Sequence, residues 1–146
     1  MASSLEQLEE KLRGLAAPKD YGLVLQDVSR QVREDTRDRF NREVDPDGAS
    51  WAELAESTIE KKGHDVRLFE TGALLLSLGN VEEITTDSLE CGTDDEKAGW
   101  HQNGTKDGHV PARPFVGFNE RGMQSIEDQV ADFVEEEVAR AFDGLA

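Results

Sequence analysis

Residues 101–117 read HQNGTKDGHVPARPFVG and organise the middle of this chain. They hold two compact motifs, His101-Gln102-Asn103-Gly104 and Pro111-Ala112-Arg113-Pro114-Phe115-Val116-Gly117, joined by a polar segment that contains glycine. Glycine permits backbone angles that other residues avoid, while proline fixes φ and removes a backbone donor. We therefore predict a short helix at 98–103, a flexible loop at 104–108, and a strand at 113–118, with the prolines keeping their loop extended beside an edge strand.

Two further motifs precede this region. Asp45-Pro46-Asp47-Gly48 stands before Trp51, and Thr71-Gly72 stands before a run of leucines. Proline disfavours helical geometry at the residue before it and glycine allows positive φ, so 45–48 is predicted to be a turn that ends a helix. We expect Trp51 to dock this turn on the core, and Gly72 and Gly104 to serve backbone angles or close packing.

Apolar residues at spacings of three and four predict helices at both ends of the chain. The first begins after a cap at Ser4, carries a leucine stripe and is closed by Gly14 and Pro18. A longer helix is predicted at 20–42, and the last at 120–142, capped by Asn119 and ending near Gly144. The predicted inward residues are Leu5, Leu8, Leu12 and Leu15; Leu25, Val28, Val32 and Phe40; and Met123, Ile126, Val130, Phe133 or Val134, and Val138.

The middle of the chain predicts short elements instead. One or two helical turns are expected at 57–62, and short strands at 74–78, 80–85 and 88–92. Helices at both ends with strands between them indicate an α+β fold: N-terminal helices, a small and mostly antiparallel sheet with short loops, and a long C-terminal helix. We predict an N-terminal helical extension at 1–18 and a single α+β domain at 19–146.

The chain is strongly acidic. Its 16 Lys and Arg against 32 Asp and Glu give a formal net charge of −16. Affinity for nucleic acid comes largely from Lys and Arg contacts with phosphates, so this balance argues against wrapping DNA. It is compatible with simple solubility, or with a surface past which DNA slides without sticking.

Targeting and redox signals are sparse. The first ten residues are acidic and no basic leader precedes an apolar run, so no secretory signal is expected. No apolar run approaches the roughly 18 residues of a membrane helix, so we expect a soluble protein without a membrane partner. Cys91 is the single cysteine, which excludes an intrachain disulfide and is typical of a reducing compartment.

Metal sites are weakly indicated. The 45–48 turn looks like the core of a calcium loop, but counting from Gly48 places Leu54 where the bidentate Glu belongs, which favours a structural turn. His64, His101, His109 and Cys91 are zinc-ligand types without the close-paired spacing of a zinc motif. We therefore expect no metal and no cofactor.

Signals for catalysis are weak as well. The sequence has no Gly-x-Ser-x-Gly elbow and no phosphate-binding glycine loop. The many carboxylates carry almost no information about hydrolysis, because they can be paired in countless ways. Enzymatic activity is therefore the weaker class of function. A metal-dependent hydrolase is the kind of enzyme that stays open as an alternative.

Taken together, the order and spacing of the motifs resemble the phage virion morphogenesis family, the Mu G-like and P2 S-like tail completion proteins. The similarity covers about residues 36–142 and leaves the leading helix outside. Glu53 stands where the family usually has proline after Trp-Ala, a departure that concerns local turn geometry. The matching positions before the two compact motifs are Trp51, Leu54, Ser57, Thr58, Lys61, Lys62, Gly63, Leu68, Thr71, Gly72, Leu75 and Ser77.

The resemblance implies a non-catalytic structural protein of a tailed phage or prophage-derived particle. Such a protein completes the tail or joins it to the head at the neck, as a ring of identical subunits, by resemblance a hexamer. It is assembled in the host cytoplasm, its partners are itself and neighbouring neck, connector or tail terminator proteins, and DNA passes nearby. The alternative is an acidic DNA mimic that inhibits a host DNA-binding enzyme, which explains the charge but not the motifs.

Two sets of residues follow as candidates for the site. Arg113, flanked by prolines, is expected to be an exposed cation that pairs with a carboxylate of a neighbouring subunit. Acidic residues of the last helix are hypothesised to face a channel for DNA. The interaction or structural motif residues are Trp51, Thr71, Gly72, His101, Gln102, Gly104, Pro111, Arg113, Pro114 and Phe115; the channel-facing acids are Glu127, Asp128, Asp132, Glu135 and Glu136.

Overall fold

The computed structural model describes residues 3–143. Helices occupy both ends of the chain and one antiparallel hairpin its middle, so the predicted α+β fold is confirmed. Within residues 3–143 no helix is both long and apolar enough to span a membrane. The elements are α1 Ser4–Ala16, α2 Gly22–Arg42, α3 Glu56–Lys62, α4 Ala73–Leu76, β1 Val81–Ile84, β2 Leu89–Gly92, α5 Ala98–Asn103 and α6 Glu120–Phe142.

Helix α1 begins with a capping box. The Oγ of Ser3 accepts from the Glu6 backbone N–H at 3.2 Å, and Glu6 Oε2 accepts from the Ser3 N–H at 2.6 Å. The predicted cap at Ser4 is therefore wrong by one residue. The N-cap is Ser3, because Glu6 follows it by three residues and its carboxylate can accept from the backbone N–H of the cap. The helix also runs through Gly14, and it ends before Pro18, which disfavours helical geometry at Ala17.

Helix α2 presents a mixed face to the interior. Val28 and Phe40 are buried as predicted, and Leu25 and Val32, predicted on the same side, are half-buried. Ser29 and Thr36 are buried on the same side, together with Val24. Their hydroxyls are satisfied, since Ser29 donates to Glu82 Oε2 at 2.7 Å and Thr36 to the Val32 carbonyl at 2.7 Å.

Aromatic rings form the centre of the core. The Phe40 ring meets Trp51 edge-on with centroids 5.4 Å apart, and meets Phe115 with centroids 5.5 Å apart. Such edge-to-face pairs add to the stabilisation gained from buried area. Leu68, Leu74 and Leu78 complete this cluster, so the core joins α2, the turn after it, α4 and the 111–117 loop.

The hairpin is shorter than the predicted sheet. Strand β1 pairs with β2 from Val81↔Gly92 to Ile84↔Leu89, which confirms two of the predicted strands. The strand predicted at 74–78 is wrong: Gly72 at φ 81° starts the helical turn α4, and Leu74 and Leu78 reach the core at helical spacing. The strand predicted at 113–118 is also wrong, because that segment has no backbone ladder.

Helix α6 matches its predicted bounds and cap. Asn119 Oδ1 accepts from the Gly122 N–H at 2.7 Å, and the helix runs to Phe142; the predicted stop near Gly144 lies outside the described residues. None of its side chains is fully buried, although Phe133 stacks on Tyr21 with centroids 5.3 Å apart. Gln31 of α2 bonds Ser125 and Gln129, so α6 lies on the surface along α1 and α2.

The aromatic core supplies a direct test with a matched control. Phe115 is 1% exposed and Phe118 is 50% exposed, although they are three positions apart in one segment. We expect Phe115→Ala to lower the free energy of unfolding by about 3–5 kcal/mol, because it leaves a cavity. Phe118→Ala should cost less than about 1 kcal/mol. Urea unfolding of both variants measures the difference, and equal costs would contradict this core.

Candidate functional site

Gln102 joins the two compact motifs. Its Oε1 accepts from the Phe115 and Val116 backbone N–H groups at 3.0 and 3.1 Å, and its Nε2 donates to the Val116 carbonyl at 2.9 Å. One amide side chain thus takes the place of a neighbouring strand for this part of the loop. The His101 carbonyl accepts from the Arg113 N–H at 2.6 Å, which extends the contact along α5.

Trp51 and Arg39 hold the other side of the same loop. The indole Nε1 of Trp51 donates to the Pro114 carbonyl at 2.7 Å, and Arg39 Nη1 donates to the Phe115 carbonyl at 3.0 Å. The expectation that Trp51 docks its turn on the core is confirmed. Arg39 was missed, because a charged residue on a long amphipathic helix is ordinarily assigned to solvent.

Arg113 is a structural residue inside the protein. It is 5% exposed, so the prediction of an exposed cation is wrong. Its Nε donates to the Ala52 carbonyl at 2.7 Å and its Nη2 to the Glu53 carbonyl at 2.8 Å. The guanidinium group therefore points inward and holds the segment that follows Trp51. Burial lowers the pKa of Arg113.

The glycines of the motifs serve the backbone, as predicted. Gly104 ends α5 at φ 73°, and a Cβ there would stand 2.9 Å from the Ala112 nitrogen and 3.0 Å from the Val110 carbonyl oxygen. Gly72 is at φ 81°, with its Cα hydrogen facing the Phe69 ring, which a Cβ would approach to 3.1 Å. Both positions thus combine a positive φ with a close neighbour.

The motifs meet around a cleft of about 370 Å³. Thr71, Gly72, His101, Pro111 and Arg113 all line it. Its apolar wall comes from Leu54, Leu68, Phe69, Leu74 and Val110, and its charged residues are Lys62, Lys97 and Arg113 against Glu53, Glu70 and Asp95. Three cations stand against three acids, so the charged residues of the cleft balance one another in a chain of net charge −16.

His101 lines the cleft and is half-buried. Burial lowers the pKa of His101, and the nearby charge of Arg113 lowers it further, with Lys97 and Lys62 adding to this effect. Its Nδ1 is buried and has no hydrogen-bond partner among the described residues. Buried polar atoms are normally partnered, and this nitrogen and Arg67 Nε are the side-chain exceptions among the described residues.

The backbone of Leu68, which lines the cleft, is strained. This buried leucine has φ 53°, a conformation that residues other than glycine rarely adopt. The preceding Arg67 donates to the Glu43 carboxylate at 2.9 Å, and Glu43 ends α2 at the same positive φ of 53°. The sequence carries no signal for these positions, because neither residue type favours left-handed geometry.

The acidic residues of α6 form a separate surface. Glu127, Asp128, Asp132, Glu135 and Glu136 are all exposed, and none of them lines the cleft. Glu136 and Glu137 lie beside Arg140, and Asp128 accepts from Gln124 at 2.9 Å. The structure thus places these predicted residues on an open helix face, apart from the joined motifs.

The turn at 45–48 is closed by its own hydrogen bonds. Asp45 Oδ1 accepts from the Asp47 and Ala49 N–H groups, both at 2.9 Å, which confirms a structural turn. Asn119 Nδ2 donates to the Pro46 carbonyl at 3.0 Å and ties the turn to the start of α6. Within residues 3–143 no group of three or more His, Cys, Asp and Glu side chains is arranged to hold a metal ion.

The comparison with protein families gives one match. Residues 3–135 fit the model described as the phage virion morphogenesis family. The chain belongs to that family. Neither the comparison with curated proteins nor the comparison with solved structures gave a significant match. Membership assigns this phage morphogenesis protein a role in the structure or assembly of a virion, as the resemblance predicted.

The extent of the match corrects one expectation. The sequence similarity was placed at 36–142, with the leading helix outside, but the match begins at residue 3, the N-cap of α1. Helix α1 is therefore part of the family pattern. The departure at Glu53 is accommodated, since this residue contributes its backbone carbonyl to Arg113. The division at residue 18 stays a prediction.

Gly104 and Gly108 differ in how strongly they exclude a side chain. Both have positive φ, 73° and 71°, but a Cβ at Gly108 would meet nothing within 4 Å. Gly108→Ala should lose about 1–2 kcal/mol of stability from the positive φ, and Gly104→Ala should lose more, because its ψ of 170° lies in a region that essentially only glycine adopts. We expect Gly104→Ala to lose about 1–3 kcal/mol more, because its Cβ meets fixed backbone atoms. Thermal or urea unfolding measures both; a Gly108→Ala variant that is equally destabilised would refute the crowding argument.

Proposed function

We propose that this protein is a non-catalytic structural component of a tailed phage or prophage-derived particle. It completes the tail or joins it to the head at the neck, as a ring of identical subunits, by resemblance a hexamer. Its partners are neighbouring copies and the adjoining neck, connector or tail terminator proteins. The family match over residues 3–135 carries this proposal.

The way the motifs are used supports a structural role. His101, Gln102, Trp51 and Arg113 contribute hydrogen bonds that fix one loop against another. Loops that are fixed by such hydrogen bonds present rigid surfaces, and a rigid surface loses less conformational entropy when a partner binds. The motif residues thus stabilise the structure of the subunit, and this role involves no chemical reaction.

The exposed area of the chain supports assembly. It is 10234 Å², whereas a folded monomer of 16.2 kDa exposes roughly 7,500 Å². A ring subunit offers two different faces to its neighbours, and each standard interface takes about 800 Å² from each partner. The surplus of about 2,800 Å² is enough for both faces.

In the proposed ring, the acidic face of α6 (Glu127, Asp128, Asp132, Glu135 and Glu136) lines or approaches the channel for DNA. Like charge on the wall and on the phosphates prevents the duplex from adhering during packaging or ejection. The exposure of all five side chains supports this placement.

The proposal predicts that the protein is a fixed part of the particle. Quantitative mass spectrometry of purified, DNA-filled particles should find it at a low constant number, roughly one six-subunit ring relative to the portal. A phage without the gene should accumulate filled heads and tails that remain unjoined. Absence from particles, with recovery of a host DNA-binding enzyme in a pull-down, would instead support the acidic DNA mimic.

The channel placement predicts an effect of charge reversal on α6. Changing Glu127, Asp128, Asp132 and Glu135 to Lys should slow DNA ejection several-fold while particles still assemble, because the wall then attracts phosphate. The matched control reverses four other exposed acids, Glu60, Glu83, Glu90 and Glu96, for the same change in net charge. Normal ejection in the α6 variant, timed with purified particles, rules out the channel placement.

A further inference from the structure

Helix α5 is held to the protein by few contacts. None of its residues is buried. Gln102 makes three hydrogen bonds to the 111–117 loop, the His101 carbonyl accepts from the Arg113 N–H, and Ala98 packs against the core. The bonds to the loop come from two adjacent residues of one short helix, so they form and break together. Regions with so little burial open at a low free energy in native proteins.

The ring of His101 lies among cations. The charges that act on it come from three parts of the chain: Arg113 of the loop, Lys62 of α3, and Asp95 and Lys97 just before α5. Asp95 is the one acid among these four, and its Oδ1 already accepts from the Lys97 N–H at 2.9 Å. The surroundings of the ring are therefore unfavourable for another positive charge.

The remaining charged or titratable residues of the cleft stand in solvent. Glu53, Glu70 and His109 line it as well, and all three are exposed. Water and salt screen the charges of exposed groups, so the two carboxylates compensate a charge on the half-buried His101 only weakly.

The buried side of the His101 ring has no place for a second proton. Its Nδ1 is buried and has no hydrogen-bond partner among residues 3–143. A neutral imidazole leaves one nitrogen without a hydrogen, whereas the imidazolium carries an N–H on both. Protonation thus places a charged donor at a buried position without an acceptor, close to the guanidinium of Arg113. The lowered pKa of His101 agrees with this geometry.

Arg113 is fixed, whereas α5 is free to respond. The Arg113 side chain is 5% exposed and is anchored to the carbonyls of Ala52 and Glu53. Moving it leaves a buried charge without its hydrogen bonds, which is costly. Moving α5 exposes no buried residue of that helix and brings the charged ring of His101 into water.

We propose that His101 is an acid-sensitive switch whose protonation releases α5 from the 111–117 loop. At neutral pH the uncharged ring fits the cleft, and Gln102 holds the backbone of Phe115 and Val116. In acid the charged ring turns to solvent, and these two N–H groups lose their acceptor. The inference concerns the single subunit and does not depend on the proposed ring.

The pH range of the switch follows from the ordinary pKa of histidine. In the released form the ring is solvated and titrates near pH 6.5, whereas in the docked form its pKa is lower. The released form therefore binds more protons, so docking of α5 is strongest above about pH 6.5 and weakens as the pH falls below it. Between pH 7.5 and 5.5 the equilibrium shifts toward release by up to about tenfold.

Amide hydrogen exchange of the full-length chain tests the switch. It is followed by NMR at pH 7.5 and 5.5 and corrected for the intrinsic rate at each pH. Protection of the Arg113, Phe115 and Val116 amides should fall by up to about tenfold in acid, while the amides of the β1–β2 hairpin keep theirs. An equal loss in the hairpin, or no loss at the loop, overturns the inference.

Two histidine variants form a matched pair. His101 and His109 both line the cleft, but His101 is half-buried and His109 is exposed. Glutamine is polar and does not titrate, so the acid response should disappear in His101→Gln and persist in His109→Gln. A response that persists in His101→Gln, whatever the overall stability of that variant, assigns it to another group and refutes the switch.

The native protein supplies a second measurement that needs no variant. NMR titration of the ring protons follows its three histidines separately. His101 should gain its proton at a lower pH than His109, because protonation must first remove it from the cleft. Titration of both rings at the same pH means that His101 is already open to water, which contradicts the proposed switch.

Discussion

The 111–117 loop places Arg113 and Phe115 inside the protein without a strand beside it, and most of the remaining structure depends on how the hydrogen-bonding groups of its backbone are satisfied. Buried peptide groups must find partners, and here the partners come from side chains of three separate segments. Gln102 acts from α5, Trp51 from the turn after α2, and Arg39 from α2 itself. Phe115 can enter the aromatic core because these bonds hold its neighbours in place. The loop therefore fixes the relative positions of elements that make few other contacts.

The sequence was sufficient where a residue acts locally. Asn119 and the apolar spacing after it predicted the bounds of α6, and Gly72 and Gly104 predicted positive φ, because caps and glycine angles depend on neighbouring residues alone. The sequence was insufficient where residues far away in the chain decide which structure a segment adopts. A run of leucines after Gly72 suits a strand or a helical turn equally well, and the position of the core selected the turn α4.

Arg113 shows the same limit at the candidate site. Two flanking prolines suggest a rigid exposed segment, but the carbonyls that bind its guanidinium are about 60 residues away in sequence. The residues that join the motifs were identified from the sequence, whereas their pairing was not. Gln102 was singled out, but nothing in the sequence says that its amide takes the place of a strand. The cleft is assembled from four segments of the chain, and the sequence did not predict it for the same reason.

The distribution of apolar side chains links folding to assembly. The buried core is small and centred on three aromatic rings, while the stripe of α1 and the residues Leu23, Leu76 and Trp100 remain largely exposed. Two subunits of charge −16 repel each other overall, so association requires apolar contact together with a local patch of balanced charge. The cleft is such a patch. Folding thus buries the aromatic core, whereas α1, although regular and well capped, adds no buried residue to its own subunit.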